Sequence, residues 1–172
     1  MAVFVMGVDP GFTGAIAFYD CVAGKLDSVH DMPLLCKKRS KRGGSELDIQ
    51  SLVALIEVYS KDTLLACIEE VGATNTHGRK QGAVSMFKFG HGAGAIDGIV
   101  SSSLIPIRHV LPQTWKGLMG LSRDKNLSRK KAISLFPDHA SLFSRVKDDG
   151  RAEASLLAYF GVRFVEAMKQ RA

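Results

Sequence analysis

Carboxylates stand at three places in the chain where their chemistry needs explaining. Asp9 closes the apolar run Val3 to Val8 and is followed by Pro10-Gly11, so its side chain projects from a strand end while the backbone turns away. Glu69 and Glu70 interrupt Leu64-Leu65-Ala66-Cys67-Ile68, a stretch otherwise suited to a buried strand, where an ionised group needs a partner. Asp148, Asp149 and Glu153 open a helix whose apolar positions include Leu156, Leu157 and Phe160. A turn aspartate or acids favoured by a helix dipole would explain each piece singly. Together, carboxylates at the ends of three elements are the hard oxygen donors that hold divalent cations, and ions so held activate water and stabilise a leaving oxygen in phosphodiester cleavage.

Spacing sorts some of these acids. Four residues on a helix turn through about 40° net, which puts Asp149 and Glu153 on one face, whereas Asp148 lies about 140° from Glu153 and reads as the helix cap. Successive strand residues face opposite sides, so one of Glu69 and Glu70 points towards Asp9 and the other away. Periodicity leaves open which.

The elements needed to position these groups follow from hydrophobic pattern. Val3 to Val8 and Ala15 to Tyr19, separated by turn residues, predict a β-hairpin, and Leu26 to Met32 a third strand. Asp48 is placed to cap a helix carrying Ile49, Leu52, Val53, Leu55 and Ile56, followed by a buried strand from Leu64 to Val71. A helix over Gln81 to Val100, a fifth strand over Ile105 to Leu111, a helix over Ser128 to Phe136 capped by Ser128, and a long terminal helix from Asp149 to about Lys169 complete the order. Helices flanking a mixed five-stranded sheet make the chain α/β. With 172 residues and no internal repeat or Pro-rich linker, residues 1–172 are expected to form one domain.

Lysine and arginine number 23 against 17 aspartates and glutamates, a net charge of +6, which favours polyanionic partners. Cys21, Cys36 and Cys67 have neither zinc-site nor disulfide-framework spacing, which fits a reducing, cytoplasmic setting; no apolar run is long enough to be a membrane helix. The segment Lys37 to Gly44 forms a basic loop carrying Lys37, Lys38, Arg39, Lys41 and Arg42.

Five motifs in this order resemble the RuvC-type Holliday-junction resolvase family, in its phage and organelle-like branch. They are Gly7-Val8-Asp9-Pro10-Gly11, Ile68-Glu69-Glu70-Val71, Ser85-Met86-Phe87 leading into Gly90, Gly94 and Gly98, Pro112-Gln113-Thr114-Trp115-Lys116, and Asp149-Gly150-Arg151-Ala152-Glu153-Ala154. The resemblance implies an RNase H-like fold and a homodimer that nicks four-way-junction or other branched DNA in pairs, with two Mg2+ or Mn2+ ions at each site. It also implies Asp9, Glu69, Asp149 and Glu153 as metal ligands, the register Ile-Glu-x-Val selecting Glu69. Lys116 and Lys125 fall where the family keeps basic residues near the scissile phosphate. Two positions depart from bacterial members: Gly72 stands where they carry a Phe, and the last two acids are four apart rather than three.

Around this centre, Lys125, Arg129, Lys130 and Lys131, with the loop Lys37 to Arg42, are candidates for DNA backbone contact. The stripe Gly90, Gly94 and Gly98 serves either close packing on the sheet or a dimer interface, and His77 and His91 read as surface or DNA-contacting residues. Flap or branched-DNA nucleases of the same fold would share the carboxylates. Nucleotide-binding proteins of the actin and sugar-kinase type share the pattern of Asp9-Pro10-Gly11-Phe12-Thr13-Gly14 but need two such domains, and this chain has length for one.

Overall fold

Short runs rich in valine, isoleucine and alanine, apolar at both parities, become the middle strands of a sheet covered on both faces. In the computed structural model, which describes residues 2–35, 46–70, 82–122 and 124–170, these are β1 (Phe4–Asp9), β2 (Ala15–Asp20) and β6 (Thr63–Glu69). With β3 (Lys25–Asp31) and β7 (Ile107–Val110) they form one sheet in the order β3-β2-β1-β6-β7. The β1–β2 and β2–β3 pairs are antiparallel and the β1–β6 and β6–β7 pairs parallel, as a hairpin meander followed by helical crossovers requires.

Strand parity divides the core. Met6, Val8, Ile16 and Phe18 point to a layer with Leu52 and Ile56 of α1 (Ile49–Tyr59) and Ile96 and Val100 of α2 (Ala83–Ser102). Val5, Ala17, Leu65 and Cys67 point to the other, against Ala154, Leu157 and Ala158 of α5 (Asp149–Lys169), with Trp115 of α3 (Pro112–Leu118) and Ala132 of α4 (Lys125–Leu135) beside them. Asp48 caps α1 through a bond from the Ser51 amide, as its position predicts.

Several elements differ from expectation. α4 begins three residues before Ser128 and is capped by Asp124, which accepts from the Asn126 amide; Ser128 is buried inside the helix and caps nothing. Asp148 ends a short 3-10 turn, Val146–Asp148, instead of capping α5 by itself: its carboxylate takes the Arg145 amide and guanidinium. α3 has no clear apolar period and was not predicted, although Pro112 at its first position is a start signal. Leu34–Leu35 (β4) and Glu46–Leu47 (β5), which flank the basic segment in sequence, pair antiparallel. Lys37, Lys38, Arg39, Lys41 and Arg42, with Gly72 and His77, lie outside the described residues.

α5 sits on the sheet at backbone distance. A Cβ on Gly7, in the middle of β1, would collide with the Ala154 carbonyl and the Ala158 backbone of α5. One on Gly161 would come within 2.7 Å of both the Cys67 Sγ and a Val5 methyl. Gly7→Ala should therefore cost at least about 2–3 kcal/mol, because backbone cannot step aside as a side chain can. Gly117→Ala, with nothing within 4 Å of the new methyl, should gain a few tenths of a kcal/mol. Guanidinium unfolding of the two variants checks both signs, and a neutral Gly7→Ala would show that α5 is free to lift.

Candidate metal and phosphodiester site

Parity brings the first two acids together. Asp9 follows Val5 and Gly7 on the α5 side of β1, and Glu69 follows Leu65 and Cys67 on the α5 side of β6, the neighbouring parallel strand. Glu70, one residue on, has left the strand; it is exposed, and its amide donates to the Val110 carbonyl. The first turns of α5 lie across these strand ends and carry Asp149 and Glu153. Arg151 fixes the start of that helix by a two-pronged bond to Asp31 of β3, 2.6 Å for each prong.

Polar side chains from α3 and α4 complete the cluster. The indole N–H of Trp115 donates to Glu69 Oε1 at 3.0 Å. Lys116 Nζ lies 2.6 Å from Glu153 Oε1, and the buried Ser128 hydroxyl donates to the same oxygen at 3.2 Å. Lys125 is ion-paired with Asp149, and the Gly11 amide donates to Asp9 Oδ1 at 3.3 Å. Trp115 and Ser128 were not among the predicted site residues. Trp115 stood within a recognised motif, but a tryptophan beside a lysine gives no sign that its N–H will meet a glutamate 46 positions away.

The arrangement is rich in negative charge. Burial, followed by the charges of Glu69 and Glu153, raises the Asp9 carboxyl from 3.8 to about 7, against the Gly11 amide and Lys125, which lower it. Burial also raises Glu69, countered first by the Trp115 hydrogen bond and reinforced by Glu153. Burial disfavours the Lys125 ammonium, yet its bond to Asp149 and the fields of Asp149, Glu153 and Asp9 keep its pKa above the ordinary value. One lysine thus lies within the field of three acids, Asp149, Glu153 and Asp9.

The remaining candidates divide. Arg129 spends its guanidinium on the Phe143 and Ser144 carbonyls and on Asn126, so it secures the 3-10 segment Pro137–Phe143 instead of facing outward as a phosphate ligand. Lys130 is exposed on α4. His91 stacks on Phe87. Gly90, Gly94 and Gly98 meet nothing within 4 Å, so packing against the sheet does not explain the stripe; Gly92, which faces Phe12 at 3.2 Å, is the close-packed glycine of α2.

No protein-family model matches the chain, and no curated protein matches it in sequence. Solved structures do match in shape. RuvC of Thermus thermophilus in complex with a Holliday junction substrate aligns over 94% of this chain and 96% of its own, with a TM-score of 0.60 at 15% identity. The yeast mitochondrial Holliday junction resolvase Ydc2 aligns over 96% of this chain and 80% of its own, with a TM-score of 0.56 at 15% identity. The chain has the RNase H-like fold of RuvC.

The donor set fits a hard divalent cation. The candidate donors are four carboxylates with no sulfur or imidazole, and burial, with the charge of neighbouring carboxylates, raises Asp9 and Glu69. Among the described residues no three such groups stand close enough to chelate an ion as they are, and Glu153 and Asp149 are ion-paired with Lys116 and Lys125. Without metal, Asp9 should act as a pH-dependent weak point. The folded chain holds the Asp9 proton up to about pH 7 and the unfolded chain releases it near 3.8, so this stabilisation is complete below pH 4 and lost as pH rises to 7. In EDTA, wild type should lose on the order of 4 kcal/mol relative to Asp9→Asn across that window, at about 1.4 kcal/mol per pH unit. Parallel stability curves for the two proteins would show that Asp9 is not buried against like charge.

Proposed function

We propose that this protein is a divalent-metal-dependent endonuclease that resolves four-way DNA junctions by paired, symmetric nicks, acting as a homodimer. The observation that carries the reading is the convergence of Asp9, Glu69, Asp149 and Glu153 from the ends of β1 and β6 and the first turns of α5, in a fold shared over nearly its whole length with a RuvC that holds a Holliday junction substrate. The net charge of +6 supports a polyanionic substrate.

Asp9, Glu69, Asp149 and Glu153 would hold Mg2+ or Mn2+, two ions per site. Ions held there supply an activated water and charge stabilisation at both oxygens of the displacement at phosphorus. The rest falls to the chain itself. Trp115 holds one oxygen of Glu69, and Lys116 and Ser128 hold one oxygen of Glu153, so the acids are oriented before any ligand arrives. Lys116, with its ammonium at the edge of the cluster, is placed to stabilise charge that develops on the phosphate. Lys125, paired with Asp149, would supply backbone contact beside it, and Lys130, exposed on the far side of α4 from Ser128, would reach a more distant phosphate.

The dimer reading rests on α2. Its glycine stripe is open, and Val84 and Phe87, 71% and 74% exposed, continue the same face towards the helix start. A second copy would bury these side chains and bring two helices together at the glycines.

The assay is incubation of purified protein with labelled four-way, flap and duplex DNA, with Mg2+ or with EDTA. Paired symmetric nicks in the four-way junction are expected, only with metal; cutting of flaps alone would replace this reading with a flap nuclease. Asp9→Asn, Glu69→Gln, Asp149→Asn and Glu153→Gln should abolish cleavage and keep junction binding, while Glu70→Gln remains active. Trp115 is the one tryptophan of the chain and touches Glu69, so Mn2+ should quench its fluorescence in wild type and not in Glu69→Gln. Lys116→Ala should lose ~10²-fold or more in single-turnover rate at saturating protein.

Gly94→Leu should sediment as a monomer that cannot nick symmetrically. A Gly94→Leu protein still dimeric at micromolar concentration would move the interface off α2.

A further inference from the structure

Of the five arginines among the described residues, Arg145 and Arg151 grip carboxylates and Arg129 grips carbonyls. Arg108 and Arg163 are held differently. The Arg108 guanidinium lies 4.0 Å from the centre of the Phe164 ring, and that of Arg163 lies 4.9 Å from the Phe160 ring. Stacking on a ring fixes a guanidinium while leaving its in-plane N–H donors unspent, and both residues are exposed. An arginine ordered in this way loses less freedom when an anion binds.

These arginines line a cleft of about 450 Å³ at the open edge of the sheet, beside β7, with Glu70, His109, Thr114 and Leu118. A second cleft, of about 330 Å³, runs from Pro10 past Glu69 to the same Glu70 and His109. The two clefts lie on either face of the sheet edge, the first towards α5 and the second towards α2, and Glu70 and His109 stand between them; we call the path over that edge, from the residue after Asp9 to Arg163 on α5, the trough. Its acids are Glu69, Glu70 and Asp97; the last is bonded to His109 at 3.1 Å. The end nearest Asp9 is therefore negative and the far end positive. The polarity suits a strand whose reacting phosphate lies at the carboxylates and whose next phosphates need cations.

We infer that this trough carries the sugar-phosphate backbone of a DNA strand away from the carboxylate site and over the β7 edge, with Arg108 and Arg163 as its phosphate ligands. The inference rests on the nuclease reading and adds the path of the strand. Arg108, Arg163 and Glu70 set how tightly that strand is held. Glu70 opposes it by repulsion.

The test is equilibrium binding of fluorescein-labelled four-way junction DNA by the full chain in EDTA, at several salt concentrations, read by anisotropy. The variants are Arg108→Gln with Arg163→Gln, Arg108→Lys with Arg163→Lys, and Glu70→Gln. The double glutamine variant should bind roughly 10-fold more weakly at 0.1 M salt, with a slope of log K against log salt shallower by about 1.8, as two lost phosphate contacts require. The double lysine variant should keep the wild-type slope, and Glu70→Gln should bind severalfold more tightly. A double glutamine variant with lower thermal stability but wild-type affinity and slope would overturn the inference and leave the arginines as covers for Phe160 and Phe164. Wild type that binds no DNA would overturn the nuclease reading as well, so the two failures are distinct.

Discussion

The whole site depends on how closely α5 approaches the sheet. Gly7 stands in the middle of a buried strand, where a glycine weakens the element and has no side chain to pack. What it permits is contact between the backbone of β1 and the backbone of α5 at Ala154 and Ala158. Gly150 does the same against Thr13 and Gly14 at the helix start, and Gly161 makes room for the Val5 and Cys67 side chains a few turns later. These three contacts fix the height of the helix above the strands. Arg151 on Asp31, with Arg145 on Asp148, fixes its rotation and starting point. Only with both set do Asp149 and Glu153 share a neighbourhood with Asp9 and Glu69.

That neighbourhood is costly to the fold. Carboxylates drawn together under a helix repel each other and lose water, so Asp9 takes up a proton where an exposed aspartate would be ionised. The chain offsets part of the cost with Lys116, Lys125, the Trp115 indole and the Ser128 hydroxyl. Glu69, Glu153 and Asp149 each have one oxygen engaged in this way and Asp9 one by the Gly11 amide, and among the described residues the other oxygen of each accepts no hydrogen bond. Such half-satisfied carboxylates are poor structural partners and good cation ligands. The same deficit that weakens the fold is what a cation held there would relieve.

Much of this was legible in the chain because local patterns carry it. Apolar parity marks β1, β2 and β6; Asp48 marks the start of α1; the four-residue interval groups Asp149 with Glu153. The choice between Glu69 and Glu70 was open by periodicity and is decided by tertiary parity: Leu65 and Cys67 face α5, and Glu69 continues their side. What escaped is what depends on distant partners. Ser128 has the look of a cap ahead of three basic residues, but Asp124 takes that role and leaves the hydroxyl to Glu153 across 25 positions. Trp115 is an ordinary core residue by composition and a hydrogen-bond donor to Glu69 by contact. The β4–β5 pair is too short for any alternation to show.

Helix α2 separates two surfaces that the proposed activity needs. Ala93 and Asp97 line the trough beside Glu69, whereas Gly94 and Gly98, each the next residue along, are turned roughly 100° around the axis and are open. A second copy seated on the proposed glycine face would be centred on Gly94 and Gly98, with Gly90, roughly 20° from Asp97, at the border of the trough. An interface of that kind is related to itself by a twofold axis, with the same residues contributed from both sides. Each protomer then keeps a complete carboxylate site, since all four acids come from one chain, and the axis duplicates both the site and the strand path leading from it. A four-way junction has two strands to cut, related by its own twofold. On the proposed reading, one helix would face a partner with one flank and border the strand path with the other, which would match the two symmetries.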